Sequence, residues 1–370
     1  MRSTMKKKYR LLCVLCLLIL LSPAARAEDI VDRSFSIIDG RTVENAVPRE
    51  AKDLLGDAKI GRDFDFSASF RTVLDKARAR AWDALRGALA GGFRLFAAAA
   101  LCALAACFTE RLQREIRIAG TLAVTLIALG DVNTLLGLGR ETVTQIAAFG
   151  KVLMPVLAAA SAASGAVSSS GVVYVAVMFV IDVLITLLAD LKLPLVWVDL
   201  ALVTAGGVTG NDGLQQLAKS LKNGITLTLR IILGVFVCYL MASGIVSGTA
   251  DAMAVKTVKL AISSAIPAAG SVVADAAEAV VAGAGIVRGV AGTFGILSIL
   301  ATVLLPFLRL SAQYLAFRLS AILAATAGAE GLGRQLEGIG SAFSMILTLT
   351  GSGAALLLMG VFVSAAGVRA

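Results

Sequence analysis

The sequence contains no histidine. That excludes Ser-His-Asp and Cys-His catalytic triads and removes the commonest metal ligand. Charged residues make up 16% of the chain, where a soluble domain carries about a quarter. Aromatic residues reach only 6%. The five cysteines, Cys13, Cys16, Cys102, Cys107 and Cys238, have the spacing of neither a zinc site nor a disulfide framework. They read as small residues in buried packing positions. No motif brings two acids together as an intramembrane protease would need. The residues therefore mark no catalytic, cofactor-binding or metal site, and no enzyme is expected.

What is present is apolar. Hydrophobic residues make up 58% of 370, more than a soluble fold of this size can hide. The expected fold class is all-α: a polytopic helical membrane protein with an exported N-terminal polar head and a central amphipathic helical hairpin. The formal charge of +9 overstates the basic character. Six of the 34 bases precede Glu28 and no acid does, so removing residues 1–27 leaves about +3. Nucleic acid is not an expected partner.

Residues 1–27 have the layout of a signal peptide. "MKKKYR" is a basic start, Leu11–Leu21 an apolar core, and Ala25-Arg26-Ala27 a small-x-small cleavage signal. The core is too short to span a bilayer as a helix. Residues 28–87 form the expected extracytoplasmic head, with turn signals at Asp39-Gly40, Pro48 and Gly56. Within it, Phe70, Val73, Leu74, Ala77, Ala81 and Leu85 share one helical face. That face suits either packing on its own domain or contact with membrane or a partner.

Residues 88–248 are expected to be transmembrane helices, and so are residues 293–370. The candidate spans are Ala88–Phe108, Ile116–Leu138, Ile146–Ala163, Gly171–Leu188, Leu195–Gly210, Ile225–Ile245, Thr293–Ala316 and Gly340–Val363. An exported head places the loop holding Arg111, Arg114 and Arg117 in the cytoplasm, as the positive-inside rule expects. Asp131, Asp182 and Asp199 lie within apolar segments. Each costs about 3 kcal/mol near a helix centre and should face protein or water. Gly87/Gly91, Gly206/Gly210, Gly244/Gly248 and Gly285/Gly289 recur at four-residue spacing and suit close helix contact.

Residues 249–292 depart from this pattern. Lys256 and Lys259 share one helical face, opposite Val255, Val258 and Ile262. After Pro267 and Gly270, Asp275 and Glu278 share a face opposite Val273, Ala277 and Val280. Pro267 disfavours helix at Ile266, and Gly270 accepts unusual dihedrals. The expectation is a basic and an acidic helix folded into a hairpin, with Lys259 and Glu278 equidistant from the turn. One more membrane segment with charged ends is the alternative. On the hairpin reading, Lys256, Lys259, Pro267, Gly270, Asp275 and Glu278 are candidate assembly or pore-facing residues.

The stretch "SGTADAMAVKTVKLAISSAIPAAGSVVADAAEAVVAGAGIVRGVAG", Ser247 to Gly292, resembles the stage III sporulation protein AE family. "LMPVLAAASAASG" (Leu153–Gly165) and "LPFLRL" (Leu305–Leu310) share the likeness. The resemblance implies a role in endospore formation, in the mother-cell membrane around the forespore. It implies partnership with other stage III A sporulation proteins and with a forespore-membrane partner. The assembly would act as a channel or secretion-like conduit that supports late forespore gene expression. Membrane lipid and further copies of the chain, as a homo-oligomer, complete the expected partners. The alternative is a stand-alone secondary transporter or permease that uses its intramembrane acids.

Overall fold

The computed structural model describes residues 40–366 except 57, 62–63, 109–111, 165–173, 177, 180–182, 184–192, 212, 229, 233, 236–237 and 239–269. At 40, 193–194, 270–284, 363 and 366 it describes the backbone alone. The described residues are helical and contain no strand. The elements are α1 (Gly40–Ala46), α2 (Arg49–Leu55), α3 (Phe66–Phe108), α4 (Gln113–Ala163), α5 (Leu193–Thr209), α6 (Gly270–Thr326) and α7 (Glu330–Ala366). A helical run over 213–228 lies between α5 and α6.

Local chemistry sets the ends. Asp65 caps α3, its Oδ1 accepting from the Ser67 and Ala68 amides at 2.8 and 3.2 Å. Gly210 and Gly328 close α5 and α6 at φ 69° and 90°, which L side chains resist. At Gly328 the Ala329 amide reaches the Ala324 carbonyl and the Gly328 amide reaches Ala325, the paired bonds of a Schellman turn. Asn211 starts the 213–228 run by accepting from the Gly213 amide at 2.9 Å.

The sequence suggests two spans, Ile116–Leu138 and Ile146–Ala163; the structure has one 51-residue helix, α4. Nothing between them breaks a helix. Arg140, Glu141 and Thr144 face outward, and Gln145 donates to Glu141 one turn back at 3.0 Å. At 1.5 Å per residue α4 is roughly 76 Å long, well beyond a hydrocarbon core of ~30 Å. The helices α3, α6 and α7 exceed that length too, with 43, 57 and 37 residues. No break falls between Gly87 and Ala88 or between Gly292 and Thr293, so head and body, and the acidic segment and the following span, share continuous helices.

Helices this long form two tiers. In the lower tier, Leu95, Val124, Val132, Leu200, Val203, Phe317, Leu336 and Phe343 share one core. There the rings of Phe317 and Phe343 meet edge to face at 4.9 Å. In the upper tier, Val43, Leu54 and Leu55 of the head pack on Phe149, Leu153, Phe294, Leu297 and Leu357. Val73 joins this core and Ala77 is buried, so part of the Phe70–Leu85 face packs against its own protein, while Leu74 is exposed. The lower end holds three turns. Cys107, Arg114 and Arg117 line one cavity with Gly328 and Glu330, and a Cβ on Gly210 would lie 3.8 Å from the Arg117 guanidinium. The head is at the opposite end.

The tiers differ along α6, although the upper tier also exposes Ile286, Met359 and Phe362. In the lower tier Phe93, Leu101, Leu104, Leu126, Leu319 and Ile322 are exposed. In the upper tier no residue of α6 from Val287 to Pro306 is exposed. The expected span Thr293–Ala316 is thus half enclosed by protein, and its extreme apolarity belongs to a buried core. The helices α3 and α4 are antiparallel: Gly120 meets Cys102, and Asp131 meets Gly91. Equal steps along both helices put Arg140 level with Trp82 and Lys151 level with Arg71, so exposed polar groups of the two helices form one belt above the lower tier.

Two packing expectations are corrected. Cys102 is half-buried, but Cys107 and Cys238 are exposed. The described four-spaced glycines are mostly not the tight contacts: a Cβ on Gly87, Gly285 or Gly289 would meet open space, and only Gly206 is crowded, 3.1 Å from Gln215. The close approaches fall at Gly92 against Ala316, Gly295 against Leu153, and Gly338 against Val203. Spacing alone does not say which side of a helix faces a neighbour.

Candidate functional site

An ionisable group on an apolar helix needs a partner or water. Asp131 has a partner. Its Oδ2 accepts from Gln313 Nε2 at 2.9 Å, joining α4 to α6. Gly91 leaves room for this node on α3: a Cβ there would lie 3.6 Å from that oxygen and 3.8 Å from the Arg94 guanidinium. Asp131 is a half-buried structural junction.

Asp199 is different. It sits on α5 with 2% of its surface exposed, and its Oδ2 has no hydrogen-bond partner among the described residues. It lines a cavity of about 240 Å³ between α5, the 213–228 run, α6 and α7. The polar lining consists of Lys219, Lys222, Arg318, Arg334, Glu337 and Gln215, with Tyr314 and Ser341. Lys219 and Lys222 are three apart and so reach the cavity from one helical face. Arg318 donates to the Tyr314 hydroxyl at 2.7 Å, which holds its guanidinium on the cavity side of α6. Four cations and two carboxylates thus line the cavity, with Asp199 buried and Lys219, Arg318, Arg334 and Glu337 exposed. Such a cavity can hold an anion that also offers a hydrogen-bond donor to Asp199. Asp131 does not line it.

Of the other sequence candidates, Asp182, Lys256, Lys259 and Pro267 lie outside the described residues. Gly270, Asp275 and Glu278 fall in the first turns of α6, where the backbone alone is described.

Two polar clusters escaped the sequence reading. Gln335 is fully buried, and its Nε2 donates to the Thr121 carbonyl at 3.0 Å and to Thr125 Oγ1 at 2.6 Å. Thr204 Oγ1 lies 3.4 Å from Thr125 Oγ1, so α4, α5 and α7 share one network. Arg288, 5% exposed, donates to Ser164 Oγ at 3.2 Å and to the Ala365 carbonyl at 3.0 Å. The signal for Gln335 was weak, because it lies in the polar run from Glu330 to Glu337 and reads as helix-end polarity. Arg288 is a lone base in an apolar run, and that is its signal.

The model of the family described as "Stage III sporulation protein AE" matches residues 89–367. The chain belongs to this family. Its members are sporulation proteins, and the four long apolar helices agree with membrane residence. A relative of that name from Bacillus subtilis (strain 168) is 20% identical over 200 residues, covering 54% of this chain and 50% of its own length. The match therefore spans about half of that relative. No solved structure matches the chain. The matched residues include both tiers of the bundle and the Asp199 cavity, but not the head.

Proposed function

We propose that the chain is a membrane subunit of a sporulation-specific transenvelope complex, a channel or secretion-like conduit between mother cell and forespore. The family match over residues 89–367 carries this reading. In it, the lower tier sits in the mother-cell membrane, where the exposed Phe93, Leu101, Leu126 and Ile322 meet lipid. The three-turn end, with Arg114, Arg117 and Lys219, faces the cytoplasm, as the positive-inside rule favours for short loops. The head follows the leader across the membrane into the intermembrane space, since a domain of about sixty residues translocates largely regardless of charge. The upper tier, roofed by α1 and α2, then stands clear of the bilayer and offers a surface to other stage III A proteins, to a forespore-membrane partner and to further copies of the chain. The charged segment around Lys256, Lys259, Asp275 and Glu278 contributes to the same contacts.

Deleting the gene in its host and following a late forespore reporter tests the role. The expected result is normal engulfment, loss of the late signal, and co-purification of the tagged protein with stage III A partners. Normal reporter activity in the deletion overturns the proposal. Solute uptake by the purified, reconstituted chain alone would favour the transporter reading instead.

A further inference from the structure

We infer that the Asp199 cavity is a binding site for the headgroup of an anionic, hydroxyl-bearing phospholipid of the phosphatidylglycerol type. The inference rests on the proposed seating of the lower tier in a membrane and not on the sporulation role. It starts from charge. Lys219, Lys222, Arg318 and Arg334 outnumber Asp199 and Glu337 around a space of about 240 Å³. Lys219, Arg318 and Arg334 are exposed at its mouth and Lys222 is half-buried, and a phosphate meets this excess of positive charge.

Position argues for a lipid rather than a free ion. Glu337 is seven residues into α7, so the cavity is roughly 10 Å from the turn end along the helix axis. That depth is where a headgroup meets the hydrocarbon. Leu315, Leu319 and Ile322 are exposed on α6 within about one turn of Arg318, an apolar stripe beside the cationic mouth on which acyl chains can lie. The cavity also continues into a groove between the ends of α6 and α7. Arg318, Arg334 and Glu337 line both, with Ala321, Ile322 and Ala325 along the groove. A guanidinium shared by two adjoining spaces can grip a phosphate between a headgroup on one side and glycerol and chains on the other.

Asp199 selects the headgroup. It lines the cavity and is buried, and its Oδ2 has no donor among the described residues. A buried carboxylate oxygen without a donor is costly. A glycerol headgroup brings hydroxyl donors to the Asp199 carboxyl group, which lines the cavity, while its phosphate meets the bases. Phosphatidylethanolamine brings a donor as well, but it is neutral overall and leaves the excess of bases uncompensated.

The test uses the full-length protein in mild detergent. Its melting temperature is followed as phosphatidylglycerol, phosphatidylethanolamine or inorganic phosphate is added. Phosphatidylglycerol should give a saturable rise, with little from the other two. In Arg318→Gln and Arg334→Gln the midpoint should shift about fivefold for each base removed. Arg71→Gln and Arg78→Gln, exposed on α3 far from the cavity, should leave it unchanged. If a cavity variant fails to fold, the comparison of lipids on the unaltered protein still decides. Equal response to phosphatidylethanolamine, equal response to inorganic phosphate, or an unchanged midpoint in folded Arg318→Gln overturns the inference.

Discussion

Replacing Gly92 with alanine should destabilise the bundle, while the same change at Gly87, five residues earlier on α3, should not. The geometry sets the magnitude. A Cβ on Gly92 would lie 2.9 Å from Ser320 Oγ, 3.0 Å from the Ala316 carbonyl oxygen and 3.2 Å from the Ala316 Cβ. The hydroxyl can rotate away, but the carbonyl belongs to the backbone of a packed helix and cannot. The helices α3 and α6 must separate, at an overpacking penalty of about 1–3 kcal/mol. The bond from Ser320 Oγ to the Gly92 carbonyl, 2.7 Å long, weakens as they part, a loss of about 0.6 kcal/mol in a membrane bundle. Against this stands a gain of about 1 kcal/mol from replacing glycine in a helix. At Gly87 a Cβ meets nothing within 4 Å, so only the gain remains. The two variants should differ by about 1.5–3.5 kcal/mol, or roughly 2–5 °C in melting temperature for a chain of this length. Tryptophan fluorescence in detergent, from Trp82 and Trp197, reads this directly. A Gly92→Ala protein that melts at or above Gly87→Ala refutes the close crossing. Adding Ser320→Ala to Gly92→Ala should recover only part of the loss, because the Ala316 carbonyl stays in place.

Three further predictions follow from particular contacts. In a Cys-free background, Thr144→Cys on the polar belt should react with a membrane-impermeant maleimide and Leu126→Cys should not; the reverse pattern would put the bilayer at the upper tier. Asp131→Asn keeps an oxygen for Gln313 and should hold stability within about 1 kcal/mol, whereas Asp131→Leu leaves Gln313 unpaired and Arg94 uncompensated and should cost about 1–3 kcal/mol; equal melting of the two variants would deny the junction a structural role. Gly328→Ala forces a side chain into φ 90° at the α6–α7 turn and should cost about 1–2 kcal/mol although it meets no neighbour; an unchanged melting temperature would mean the turn readily takes another conformation.

Much of the site lay outside the reach of sequence reading for one reason: it judged each charge by its own helix. Asp131 and Asp199 looked alike, as lone acids in apolar segments. Their difference is made by Gln313, 182 residues from Asp131, and by four bases drawn from three other helical segments. Gln335 and Thr125 lie 210 residues apart and carry no charge to draw attention. Spans were misjudged for a related reason. Arg140 and Glu141 read as a loop between two helices, because polar residues amid apolar ones suggest an exit from the membrane. They lie instead on one unbroken helix, where it passes from the lower tier to the upper.

By itself the sequence determined the class of the protein: an apolar, histidine-free, helical membrane protein of the stage III sporulation protein AE family. Composition and hydropathy are sums over residues, and family likeness is a matter of residue order, so none of these needs a fold. Only the tertiary structure decided which apolar stretch is protein core and which faces outward, which glycines touch, and which carboxylate oxygen has no donor among the described residues. Each of those depends on the distance between groups far apart in the chain, and periodicity within one helix carries no information about the neighbour it meets.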